Sequence, residues 1–148
     1  MALKVKITNI NILLQDLDRY SQKAQSGIVN EIKNWADRTE ADAQRDVPVD
    51  TGALKSSIRT SQSNNGLTWS VLAGGINNVN YAPFIEFGTG ARVDKSFLQQ
   101  YGLTQYASQF RGKQSPIFAL PSRSYLYKNA RLEFEKTLQN IQKLLQQT

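Results

Sequence analysis

Two carboxylates stand where side-chain chemistry is conceivable. Asp50 opens the turn Asp50-Thr51-Gly52-Ala53, with apolar residues before it. Glu86 lies between Ile85 and Phe87 and is the only carboxylate between Thr51 and Gly90. The chain has no cysteine and no histidine. That excludes disulfides, Cys/His zinc sites, thiol nucleophiles and every histidine-based dyad or triad. Chemistry is left to carboxylates, hydroxyls, Lys, Arg and Tyr, and no Asp-rich calcium loop is present. Gly88-Thr89-Gly90 lacks the Lys-Ser/Thr of a phosphate loop. A lone Asp in a Thr-Gly turn does acid–base work only when a second copy brings its own, so that two like charges share one proton.

The triplet resembles the active-site turn of retroviral-type aspartic proteases, which implies a homodimer using Asp50. That turn should follow a core strand, whereas here it follows a long helical pattern ended by Val47-Pro48. A side-chain-bonded turn with a permissive glycine accounts for the same residues. Glu86, flanked by apolar residues, is expected to be buried and to need a partner, either Arg59 or backbone amides at a turn. Trp35 and Trp69 fall on expected buried faces and read as core.

The elements that must position these residues follow from periodicity. Lys4–Thr8 alternates as a short strand or extended arm. From about Leu14 to Arg45, apolar and small residues recur by threes and fours: Leu14, Leu17, Tyr20, Ala24, Ile28, Ile32, Trp35, Ala36, Thr39 and Ala43. This spacing predicts one long amphipathic helix. Gly27 is a weak point that leaves room for a kink, and Pro48 ends the helix by about Asp46. Leu54–Thr60 and Leu67–Ala73 alternate around Ser63-Asn64-Asn65-Gly66 and predict a β-hairpin. Asn80–Gly88 reads as a single helical turn capped near Asn80 and stopped by Gly88, with a short strand as the alternative.

Residues 89–114 show no long period, and their aromatics Phe97, Tyr101, Tyr106 and Phe110 have no pattern that buries them within one chain. They predict an extended loop or arm at about 90–115, with the aromatics held by a neighbouring subunit or stacked on bases. Ile117–Leu120 reads as a strand, and a second amphipathic helix runs from about Leu126 nearly to the end. Strands and helices without βαβ alternation give an α+β fold: a long N-terminal helix, a small antiparallel sheet built on the hairpin, and a long C-terminal helix.

With 148 residues, the chain is expected to form a single domain, 1–148, with 40% hydrophobic residues sufficing for a core. The longest apolar stretch falls far short of the roughly 20 residues of a membrane span, and no signal-peptide core follows the N-terminal lysines. No membrane is expected, and the chain is expected to be made in the cytosol and stay soluble. The net charge of +6 is uneven. Residues 1–50 hold seven Lys/Arg and eight Asp/Glu, while residues 51–148 hold eleven and four. Arg92, Lys95, Arg111 and Lys113 concentrate the excess near the loop, as a solvated surface or one that meets phosphate or an acidic partner.

In sequence order, Val47-Pro-Val-Asp-Thr-Gly-Ala-Leu-Lys-Ser-Ser-Ile58 and Tyr81-Ala-Pro-Phe-Ile-Glu-Phe-Gly-Thr89 follow a long helix and enclose a hairpin. This arrangement resembles the neck and tail-completion family of long-tailed bacteriophages, often labelled tail component or minor tail protein. Its marks Pro-Val-Asp-Thr-Gly-x-Leu-x-x-Ser-Ile and Tyr-Ala-x-x-x-Glu-Phe-Gly-Thr both stand here in full. They place Pro48, Asp50, Thr51, Gly52, Leu54, Ser57 and Ile58 in the first motif, and Tyr81, Ala82, Glu86, Phe87, Gly88 and Thr89 in the second. A third mark is reduced to Arg123-Ser124-Tyr125-Leu126, which keeps the Arg and aromatic pattern and loses both prolines. The resemblance implies a structural morphogenesis protein, not an enzyme, without catalytic residues, cofactor or metal. It implies a ring, hexameric or higher, at the virion neck, assembled in the host cytoplasm. Its partners would be head-connector and tail proteins, with non-specific contact to packaged DNA through Arg92, Lys95, Arg111 and Lys113. The competing readings are a nucleic-acid-binding domain and, more remotely, the homodimeric protease.

Overall fold

The computed structural model describes residues 2–7, 22–50, 52–63, 68–89, 92–110 and 120–146. Its elements are strand β1 (Ala2–Ile7), helix α1 (Gln22–Asp46), helix α2 (Ala53–Ser57), strands β2 (Arg59–Ser63) and β3 (Thr68–Gly74), helix α3 (Ala82–Phe87), helix α4 (Lys95–Gln100), helix α5 (Thr104–Ala107) with a 3₁₀ turn at Ser108–Phe110, and helix α6 (Tyr127–Gln146). The fold is α+β, as the periodicity predicts.

The two long helices lie against one another. The α1 stripe Ala24, Ile28, Ile32, Trp35, Ala36, Thr39 and Ala43 is buried, as read from the spacing; the earlier positions Leu14, Leu17 and Tyr20 lie outside the described residues. Full burial of side chains such as Ile28 and Ile32 stabilises by about 1.5–3 kcal/mol each. The Trp35 indole donates to the Ala130 carbonyl at 2.9 Å, tying the middle of α1 to the first turn of α6. Glu133 is buried and takes Arg38 at 2.8 Å and Lys136 at 2.9 Å. The helix assignment runs unbroken through Gly27, from Gln22 to Asp46. A Cβ at Gly27 would stand 3.2 Å from Leu144, so the glycine gives room to the end of α6.

The sheet has the order β1-β3-β2, all antiparallel. Leu3, Val71 and Ala73 are buried in the main core with Trp35 and Val47. Period-2 alternation turns Lys4 and Lys6 to the opposite, exposed side.

Two expectations are corrected. Leu54–Ile58 is not strand: Ala53–Ser57 forms α2, and pairing starts at Arg59. Buried Leu54, Ser57 and Ile58 are spaced three and four apart, a helical set, while Ser56 is exposed. The Ser57 hydroxyl donates to the Leu54 carbonyl at 2.6 Å and accepts the Gly74 amide at 2.8 Å, tying the turn to the central strand.

Nor is the segment after Thr89 a featureless arm across its described part. Its aromatics meet their own chain: Phe110 and Leu98 are buried, Phe87 packs on Tyr106, Phe110 and Tyr127, and Phe97 tilts against Tyr101. Leu103, Tyr106, Ala107 and Phe110 carry the three-four spacing that a longer window conceals. Residues 90, 91 and 111–119, including most of the expected strand at Ile117–Leu120, lie outside the described residues, as do Thr8 and the turn at 64–67.

Candidate functional site

The Tyr81–Thr89 motif folds into α3 and its exit. Tyr81 takes the N-cap position, one residue after the expected Asn80, and Pro83 enters in the first turn, where its missing N–H costs nothing. Gly88 stops the helix with φ +74°, its amide donating to the Phe84 carbonyl at 2.9 Å. The chain segment before α6 then docks on this end. Thr89 and Leu120 exchange bonds, amide to carbonyl at 3.0 Å and amide to Thr89 Oγ1 at 2.8 Å. The carbonyls of Ile85 and Glu86, orphaned at the helix end, accept from the Arg123 amide and the Ser122 hydroxyl, each at 3.0 Å.

Glu86 is fully buried. Its Oε1 accepts from the Ser124 hydroxyl at 2.6 Å and the Tyr127 amide at 2.9 Å; its Oε2 accepts from the amides of Tyr125 at 3.0 Å and Leu126 at 2.9 Å. Ser124 Oγ takes the next amide, Lys128, at 3.1 Å. The orphan donors opening α6 are thereby met by a carboxylate donated from α3, forty residues upstream, at the positive end of the helix dipole. Burial pushes the Glu86 carboxyl above its usual range, and the four hydrogen bonds pull against that rise. The expected Arg59 partner is not used: its guanidinium donates to the carbonyls of Ser57 and Gly74. The alternative of backbone amides holds. Ala82 and Phe87 are buried in the core, and the Tyr125 hydroxyl donates to the Ala82 carbonyl at 3.0 Å.

The first motif turns the chain from α1 into α2. Gly52 sits at φ +82° before α2, with open space where a Cβ would stand, and Leu54, Ser57 and Ile58 are buried behind it. Pro48 is half-buried and Asp50 exposed. Thr51 lies outside the described residues. Pro48, Asp50, Gly52 and Leu54 meet Tyr81, Ile85 and Arg123 around an open groove of about 650 Å³. Residues from all three marks thus line one surface. Its lining mixes exposed apolar side chains, Val49 at 63% and Tyr81 at 41% exposure, with the polar Asp50, Asn77, Asn78 and Arg123.

This surface is shaped for contact more than for catalysis. Asp50 has no second carboxylate in the groove, and it follows α1 directly, not the core strand that a protease turn requires. Among the described residues no three acidic, His or Cys side chains group as a metal site. Arg92 and Lys95 are exposed and are not among the residues lining the groove; Arg111 and Lys113 lie outside the described residues. No described helix is long and apolar enough to cross a membrane. Sequence reasoning missed the Ser122–Ser124 partners of α3, although a Ser three residues before a helical pattern is a capping signal.

No curated protein and no solved structure is significantly similar to the chain. A family model described as "Bacteriophage HK97-gp10, putative tail-component" matches residues 12–88. The match takes in α1, the corner at Asp50–Gly52, the β2–β3 hairpin and α3 through Gly88, more than half of the sequence. A family of tail components speaks for a structural protein of the virion, and the chain belongs to this HK97 gp10-like bacteriophage family.

Proposed function

We propose that this tail component works at the neck of a long-tailed phage, as one subunit of a ring that joins or completes the head–tail interface. The observation that carries the reading is the groove where Pro48, Asp50, Gly52 and Leu54 converge with Tyr81, Ile85 and Arg123. Residues this far apart in sequence, brought to one open surface beside a buried carboxylate, suit a contact face. A ring needs two different faces on each subunit, because its interfaces are heterologous. The groove supplies one. Head-connector and tail proteins are the expected neighbours above and below, at the virion neck, after assembly in the host cytoplasm. The single domain expected for 1–148 is the unit of that ring, and the basic residues Arg92, Lys95, Arg111 and Lys113 give it weak, sequence-independent contact with packaged DNA.

The test is complementation of a phage lacking the gene. Loss should leave filled heads and finished tails unjoined in electron micrographs, and wild-type protein should restore them. A Tyr81→Asp, Val49→Asp variant, folded by circular dichroism, should fail to restore joining. Infectious, joined particles without the protein would contradict the proposal.

A further inference from the structure

A second groove, of about 380 Å³, opens on the far side of α6 between β1 and the α4–α5 connection. Val5, Ile7, Trp35, Tyr101 and Phe134 line it, together with two exposed cations, Lys6 and Arg131, and no carboxylate. It runs beside a strand edge that no described strand pairs. Among the described residues, β1 is an outer strand of the sheet and pairs with β3 alone. The Tyr127 hydroxyl donates to the Lys4 carbonyl at 2.8 Å, so that carbonyl points away from β3. In an antiparallel strand each residue's N–H and C=O share a side, and sides alternate. The backbone pair of Lys6 therefore faces outward as Lys4's does, while Val5 bonds inward opposite Val71. No described group bonds the Lys6 pair.

We infer that β1 and this groove accept an extended, acidic segment of a partner protein, added antiparallel or parallel as a fourth strand beside Lys6. Strand addition at an open edge gains main-chain hydrogen bonds, and side chains at alternate positions set its specificity. The residue opposite Lys6 puts its side chain on the Lys6 face; its two neighbours put theirs on the Val5 and Ile7 face, over the groove. The fitting pattern is a carboxylate flanked by apolar residues, with Arg131 at the lip attracting further negative charge. The described strands of this chain, β1, β2 and β3, carry no carboxylate, so none of them supplies that pattern to a second copy. The occupant we assign is therefore a foreign acidic segment and not a described strand of a second copy. The inference does not depend on the neck assignment.

The probe is an acetylated, amidated heptapeptide, Thr-Glu-Val-Glu-Val-Glu-Thr, titrated into the full chain and followed by NMR. Saturable binding should slow exchange of the Lys6 amide and shift Phe134 and Tyr101 signals. Exchanging Glu for Lys in the peptide should abolish binding, and Lys6→Glu with Arg131→Glu should weaken it about tenfold or more. The peptide exchange gives an answer even if the double variant is unstable. No binding at millimolar peptide, equal binding of the lysine peptide, or binding that leaves the Lys6 amide unprotected would overturn the inference. So would self-association of the free chain that protects the same amide, since the edge would then belong to a second copy.

Discussion

At the scale of single residues, Glu86 is the least replaceable side chain. It leaves three backbone amides and a hydroxyl without acceptors if removed. Glu86→Ala should therefore lower unfolding free energy by about 3–5 kcal/mol, and Glu86→Gln, which keeps one acceptor, by about 1–3. Chemical denaturation reads both; a loss below 1 kcal/mol for Ala would mean the amides find water. Two motif glycines separate conformational from steric cost. Gly52 has φ +82° and open space, so Gly52→Ala should cost about 1–2 kcal/mol. At Gly88 a Cβ would meet the Ser122 amide at 2.7 Å and the Leu120 carbonyl at 2.8 Å. Gly88→Ala should cost clearly more, by a further 1–3 kcal/mol or so, because backbone must move. Equal midpoints for the two variants would refute that distinction. Glu86's burial was legible from Ile85 and Phe87 beside it. Its partners were not, since a cap supplied from forty residues away leaves no local spacing to read.

At the scale of elements, long periodic segments spoke clearly and short ones did not. The α1 stripe and the α6 start follow from steps of three and four sustained over many residues. In Leu54–Ile58 five residues fit both periods, and the Ser57–Gly74 bond decides for helix. The α4–α5 stretch hides two short helices, and from the second of them and its 3₁₀ turn Tyr106 and Phe110 close over Phe87, Tyr106 reaching Tyr127 as well. The α1–α6 pair also carries a pH signature. Arg45 first, then the Asn129 amide, hold the Asp46 carboxyl at about 2, below its ordinary 3.8. A depressed carboxylate contributes stability above its unfolded value and loses it as pH falls through the folded one. Asp46 is 39% exposed, so solvent screens the effect to a small one. Asp46→Asn should flatten the acid limb of Tm against pH between about 4 and 2 and leave the neutral region nearly unchanged. An unchanged acid limb would show the carboxylate to be unlinked from folding.

At the scale of the whole molecule, the chain is an uneven charge on a rigid frame. The excess in residues 51–148 includes the exposed Arg92 and Lys95. Reversing Arg92, Lys95, Arg111 and Lys113 together should leave the thermal midpoint within a few degrees, because exposed charges add little to stability. DNA retention by the purified protein should fall, along with its salt dependence, each lost phosphate contact removing about 0.9 from the log–log slope. An unfolded variant would mean that these charges are internal partners instead. Above all such variants stands the position of the protein in the particle. A cryo-electron microscopy reconstruction of the virion tests it most directly. The account predicts a ring of this chain between the head connector and the tail tube, with Val49, Tyr81 and Arg123 buried against a neighbouring subunit or an adjoining ring. Copies confined to the distal tail, or a neck ring whose groove faces open solvent, would contradict it.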